Sequence, residues 1–258
     1  AISTAIAKYE SGLHEQKINK PKEALAFYLQ GLQAIKRYLN EETPASLQGE
    51  KVDIGNKLYS SASEILNSLT IEAKKNEITL KRGESFKNSL EFIVRYAGKP
   101  VQGIPVEFKY TGGYLKYDKK ISDANGYVLL QPEVLYSKNH KEQIIAEINL
   151  KDLAQKSVDD VFIRGLILKR KLQSASVNVL IESPTTSLSI DKNSCTDYNC
   201  EIINNLFNQN AKQFGYDLNT SNLPDFRFEL SFGFKKGESA GGLVSVYVSG
   251  EILIKDKS

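Results

Sequence analysis

Near residue 75 the spacing of apolar residues changes from three and four to two, and no other feature constrains the fold of this 258-residue chain as strongly. Residues 1–74 carry three stripes at helical spacing: Ile2, Ile6, Tyr9 and Leu13; Leu25, Leu29, Leu32, Ile35 and Leu39; Ile54, Leu58, Ala62, Ile65 and Leu69. Pro21 sits where a second helix would start, a position at which its missing N–H is harmless. The stretch Glu41 to Gly49, with Pro44, interrupts the pattern and separates the second helix from the third. From 76 to 150 the chain alternates: Ile78 and Leu80; Leu90, Phe92 and Val94; Ile104, Val106 and Phe108; Val128 and Leu130; Ile144, Ala146 and Ile148. Short alternating runs between Gly, Asn and Pro predict a β-sandwich, with Ile93 facing away from Phe92 and Val94. The residues Ser122-Asp123-Ala124-Asn125-Gly126 suit a tight connection.

The rest of the chain changes pattern again. Residues 151–173 read as a connecting helix with Val158, Phe162, Ile163, Leu166 and Ile167 on one side. Lys169-Arg170-Lys171 at its end complements the helix dipole, or alternatively contacts phosphate or anionic lipid. From 174 to 258 the order is strand (Val177–Ile181), helix (Glu201–Phe214) and a hairpin of two strands (Phe226–Phe234, Val244–Ile254). This small α+β domain ends just after a strand and is expected to be incomplete. The predicted fold class is therefore multidomain α + β: a helical hairpin or bundle, a sandwich and a small α+β domain.

Three resemblances sharpen this reading. Gly12, Ala24, Tyr28 and Gly31 are placed as in one tetratricopeptide (TPR) repeat, with small residues where two helices approach closely. Lys8, Ser11 and Glu15 stand where that repeat has Trp, Leu and Tyr, and an ordinary three-helix bundle is the alternative. Gly98, Pro100, Val101, Gly103 and Val106, followed by Ser122, Asp123 and Gly126, form a pattern similar to bacterial immunoglobulin-like (Ig-like) domains of the invasin type. That resemblance implies a spacer or adhesive module without catalysis. The order of elements after 174 resembles small domains of bacterial envelope lipoproteins, including those assisting flagellar or penicillin-binding-protein assembly.

Candidate chemistry is sparse. A formal net charge of +3 does not support a dedicated nucleic-acid binder. Two His and two Cys leave little material for a metal site. Gly237-Glu238-Ser239-Ala240-Gly241 matches the G-x-S-x-G nucleophile elbow, yet it lies between two strands and no His follows it. Cys195 and Cys200, spaced C-x4-C without a neighbouring His, leave a local disulfide or two free thiols; an exported protein would oxidise the pair. Asp191, Asn193, Asp197, Asn199 and Glu201 are rich in oxygen but lack the EF-hand's spacing, and read as turn and cap residues. Asn219 and Ser221 form a glycosylation sequon. Tyr110, Tyr114 and Tyr117 crowd one hairpin, as a glycan or partner contact or as half-buried sheet aromatics. No P-loop or dinucleotide fingerprint occurs.

The expectation is a non-catalytic adaptor or scaffold protein of the bacterial cell envelope that binds other envelope proteins. It needs no cofactor, metal or nucleic acid. The alternatives are a carbohydrate-binding module and a serine hydrolase using Ser239. The chain has no Met, so Ala1 is not an initiator residue and a processed protein or fragment is expected. Export to the periplasm or outer membrane follows from the Ig-like resemblance, with membrane contact only through an upstream lipid anchor. The oligomeric state is left open.

Overall fold

The computed structural model describes residues 1–47, 49–82, 89–131, 137, 139–191, 193, 197–218 and 224–256. Helices α1 (Ile2–Lys17) and α2 (Pro21–Ala34) form an antiparallel hairpin whose connection is turned by Asn19 at φ +60°. Asn is among the few residues that adopt this left-handed conformation at low cost. The hairpin closes tightly because a Cβ at Gly12 would stand 2.3 Å from the Tyr28 ring. One turn further along α2, Gly31 accommodates Leu58 and the Lys8 side chain of α1.

The stretch after α2 is more than an interruption. It contains a β-hairpin of β1 (Pro44–Leu47) and β2 (Glu50–Asp53). Polar residues on this exposed hairpin conceal its alternation in the sequence. Asp53 then caps α3 (Ile54–Ser68), accepting from the Asn56 N–H at 3.0 Å and from the Thr43 hydroxyl at 2.9 Å. The Thr43 hydroxyl in turn accepts from the Gly55 N–H, so two orphan donors of the first turn are satisfied.

Helix α3 passes directly into β3 (Leu69–Ala73), with no linker between Ser68 and Leu69. Further along the chain come β4 (Glu77–Lys81), β5 (Leu90–Tyr96), β6 (Lys99–Pro100), β7 (Pro105–Tyr110), β8 (Lys119–Ile121), β9 (Tyr127–Leu130) and β10 (Lys141–Ile148). Two helices follow, α4 (Leu150–Ser157) and α5 (Val161–Leu168), and then β11 (Ala175–Glu182). One sheet has the order β4-β11-β10-β7-β8; in the other, β5 pairs with β3, β6 and β9. Taking β3, β5, β7, β9, β10 and β11 as strands A, B, C, E, F and G, strands A, B and E share one sheet and C, F and G the other. That is the pairing of an Ig-like sandwich. The sheets meet at Phe92 and Phe108, whose ring centroids lie 5.2 Å apart. Phe92 and Val94 are buried and Ile93 is only partly so, as the alternation requires.

Three sequence-based boundaries change. The strand at Val177–Ile181 does not open the C-terminal domain; as part of β11 it closes the sandwich beside β10, with Ile144 opposite Val177. The single connecting helix over 151–173 is two helices, because Asn149 and Asp160 each cap a new start, accepting from Asp152 and Ile163 N–H groups. The change of spacing near residue 75 does not separate two units. The helices before it belong to the same compact unit as the sandwich, which spans most of the chain up to Leu180. Helix α2 packs on α3, α4 and α5, so a five-helix cluster grows from the N-terminus and from the insertion between β10 and β11.

The second unit begins at Ile181 and includes the segments around Lys81 and His140. It contains β12 (Thr185–Ile190), α6 (Asp197–Gln213), β13 (Asp217–Leu218), β14 (Phe226–Ala240) and β15 (Leu243–Asp256). The sheet order is β13-β12-β14-β15, with β12 parallel to both neighbours and β14–β15 an antiparallel hairpin. Gly241 and Gly242, both at positive φ, make the two-residue turn that such a hairpin favours.

Candidate functional site

The described residues among those singled out from the sequence have a definite place. Gly126 lies at φ +76°, where a Cβ would stand 2.5 Å from the Val94 carbonyl. Asp123 accepts from the Asn125 and Tyr127 N–H groups, and buried Ser122 donates to the Val101 carbonyl while accepting from the Ile104 N–H. The Ig-like motif is thus consumed in building the sandwich. Arg170 is consumed likewise: it donates to Asn67 and Ser63 and lies against the Tyr59 ring, fastening the end of α5 to α3. Lys169 and Lys171 stay exposed.

The three tyrosines separate. Tyr110 is buried in β7, whereas Tyr114, 85% exposed, and Tyr117 lie on the connection to β8. The Tyr117 ring has the Lys116 and Lys120 ammonium groups at 5.3 and 5.8 Å from its centre. Stacking on a sugar there would compete with two cations attracted to the same π-system.

Ser239 lies in β14 opposite Val244, exposed near a hairpin tip, and not on the strand-to-helix turn of a nucleophile elbow. Asp191 accepts from the Asn193 N–H in an Asx turn. The side chains of Asp197 and Asn199, and all of Asn219, Ser221 and Cys195, lie outside the described residues. Cys200, in the first turn of α6, is disulfide-bonded. Among the described residues no group of three or more metal-ligating side chains occurs.

A cleft of about 640 Å³ opens between α1, α3 and the β5–β6 turn. At its floor the Tyr28 hydroxyl donates to the Gln16 amide oxygen, and the Gln16 amide nitrogen donates to the Tyr96 hydroxyl. Burial, with Tyr9 nearby, pushes the Tyr28 phenol well above its ordinary pKa, and burial raises Tyr96 too. Both phenols stay protonated and neutral through the physiological range. Gln16 spends its amide tying the helical hairpin to the sandwich, so this cleft is a joint before it is a binding site.

The surface that sequence reasoning missed is the β14–β15 hairpin. Alternate residues of its two strands share a face: Phe228 with Ile254, Leu230 with Ile252. Helix α6 covers part of that face, with the Phe207 and Phe228 rings 5.2 Å apart. The remainder is open, and Val246, Val248, Ile252 and Ile254 are each more than half exposed. The opposite face carries Arg227, Glu229, Ser231, Ser249, Glu251 and Lys255. At the base of this unit, Asp225 accepts from Lys81 at 2.7 Å and from the Thr185 N–H and hydroxyl. Those donors, Lys81 first, hold its carboxyl well below the usual carboxylate range. A signal for the apolar face was present in the alternation of 226–234 and 244–254; what covers it is not written in that alternation.

No family model and no curated protein matches the chain. Among solved structures it is similar to the D0-D1 domain of intimin, at 21% identity over 45% of this chain and 47% of that one, with a TM-score of 0.25. The D00-D0 domain of intimin matches at 12% identity over 45% and 49%, with a TM-score of 0.26. A CARDB domain from Pyrococcus furiosus, in complex with di-metal ions, matches at 15% identity over 44% and 86%, with a TM-score of 0.28. The chain thus spans about half the length of the intimin chains it matches. These likenesses are partial, and the Ig-like assignment rests on the strand pairing.

Proposed function

We propose that this chain is a non-catalytic adaptor of the bacterial cell envelope, exported and binding other envelope proteins. The observation that carries the reading is the amphipathic β14–β15 hairpin, whose apolar face runs past the cover of α6. Exposed apolar faces of this kind, rimmed by polar residues, mark protein contact surfaces. The TPR-like hairpin and the Ig-like sandwich are the scaffold part of the chain in this reading. Of the residues that suggested ion binding, Asp191 turns its own loop by accepting from the Asn193 N–H. A photo-crosslinking residue placed at Val248 or Ile254 in cells is expected to trap an envelope protein, and the same residue on the polar face at Ser249 is not. Equal yields at all three positions would remove the support for this surface.

Carbohydrate binding is the second reading, favoured by the exposed ring of Tyr114. Glycan binding lost in Tyr114→Ala, with crosslinking at Val248 unaffected, would assign the sandwich that role.

A further inference from the structure

Strand β15 is a sheet edge: among the described residues it pairs only with β14. It spans Leu243–Asp256, and from Val246 onward its ladder to β14 is unbroken. Such a long apolar edge is a template for another strand, and soluble proteins usually blunt it with proline, a bulge or an inward charge. Between Val246 and Asp256 there is no proline and no register shift, and the side chains that β15 itself places on the apolar face as far as Ile254 carry no charge.

We propose that the chain pairs with a second copy of itself along this edge, antiparallel, about a two-fold axis at Leu253. The register follows from symmetry and charge. A two-fold axis normal to the sheet keeps each face on its own side, so a residue can only oppose one from its own alternating set. The charged residues of β15 are Glu251, Lys255 and Asp256, and only Glu251 and Lys255 are opposite charges in one set. Setting them against each other centres the ladder on Leu253. Ile252 then meets Ile254 of the second copy, and Gly250 meets Asp256.

Two features of the single chain fit this register. Leu253, 46% exposed, is the one aliphatic side chain between Ser249 and Lys255 on the polar face, and at the axis it meets its own copy. Lys255 lies directly opposite Arg227 and reaches Glu229 at 2.7 Å. A carboxylate from the other side would add a second anion beside Lys255. The edge used here is distinct from the apolar face of the proposed function. Pairing would join two such faces into one wider platform.

The test is the mass of the intact protein in solution, by analytical ultracentrifugation and light scattering. Wild type is expected to be a dimer. Glu251→Lys and Lys255→Glu each place like charges opposite each other twice per dimer, weakening association about ten- to a hundredfold. An equimolar mixture of the two variants restores both ion pairs and is expected to recover the dimer, as is the chain carrying both changes. Leu253→Cys should form an intermolecular disulfide on mild oxidation, while Val248→Cys should not. A monomeric wild type, a dimer indifferent to both charge reversals, or a mixture that stays monomeric would each overturn the proposal. Crosslinking from Val248 to an envelope protein, persisting in a chain found monomeric, would leave the proposed function standing without the dimer.

Discussion

At the scale of single residues, several positions singled out from the sequence are ones the fold uses up. Gly12 is the clearest case, since the Tyr28 ring fills the space a side chain would need. Gly12→Ala is expected to destabilise the first unit by about 1–3 kcal/mol, the usual result of overpacking. Denaturant titration would show this as a lower midpoint at unchanged slope. Asp225 gives a pH dependence. Its folded-state pKa lies below the unfolded value of about 3.9, so its stabilisation is complete above that value and fades as pH falls toward the folded pKa. Asp225→Asn is expected to lose about 1.5–3 kcal/mol at neutral pH, in the range of charge-assisted hydrogen bonds, and to flatten the acid limb of a stability–pH curve. An acid limb identical in the two proteins would exclude that role. The cysteines are tested by alkylating the native, non-reduced protein: no label is expected at Cys195 or Cys200. A bridge over so short a loop would stabilise by about 2 kcal/mol on the chain-entropy model.

At the scale of elements, starts are written more legibly than ends. Asn149, Asp160 and Asp53 each sit one residue before a helix and accept from its first-turn N–H groups. The Asp160 carboxyl, hydrogen-bonded first by Lys36 and then by Ile163 N–H, is held below its ordinary pKa. Asp53 has the more demanding position, because α3 feeds straight into β3 and its first turn also receives the Thr43 hydroxyl. Asp53→Ala is expected to cost about 0.5–2 kcal/mol, the range of a lost N-cap. Thr43→Ala should cost part of this, and the double variant less than the sum, because the two side chains share one network. Strictly additive losses, read from thermal unfolding, would mean that the two caps act separately.

At the scale of the whole molecule, the sandwich cannot be cut out along the limits that its alternation suggests. Residues 76–150 omit β3, which flanks β5, and β11, which flanks β10. Removing both exposes the backbone edges and apolar faces of two central strands. A fragment of residues 76–150 is therefore expected to lack a cooperative unfolding transition, while residues 1–182 retain one. Cooperative unfolding of the short fragment would restore the sequence-based boundary.

The sequence by itself determined the class of most stretches, the exceptions being β1, β2 and β3 inside the region read as helical. Helical spacing, alternation, caps and the turn residues Asp123 and Gly126 are local properties, set by backbone geometry within a few residues. It also placed Gly12 and Gly31 correctly as points of close approach, because only a glycine leaves room there. It did not determine partnership. Val177 to Ile181 alternates like any strand, and only the pairing of Ile144 with Val177 assigns it to the sandwich. Tyr110, Tyr114 and Tyr117 are alike in sequence, and only the packing of β7 buries the first and leaves the others outside. The open face of β14–β15 was equally hidden. Alternation says that one face is apolar, but how far α6 reaches across it depends on distances between residues remote in the chain.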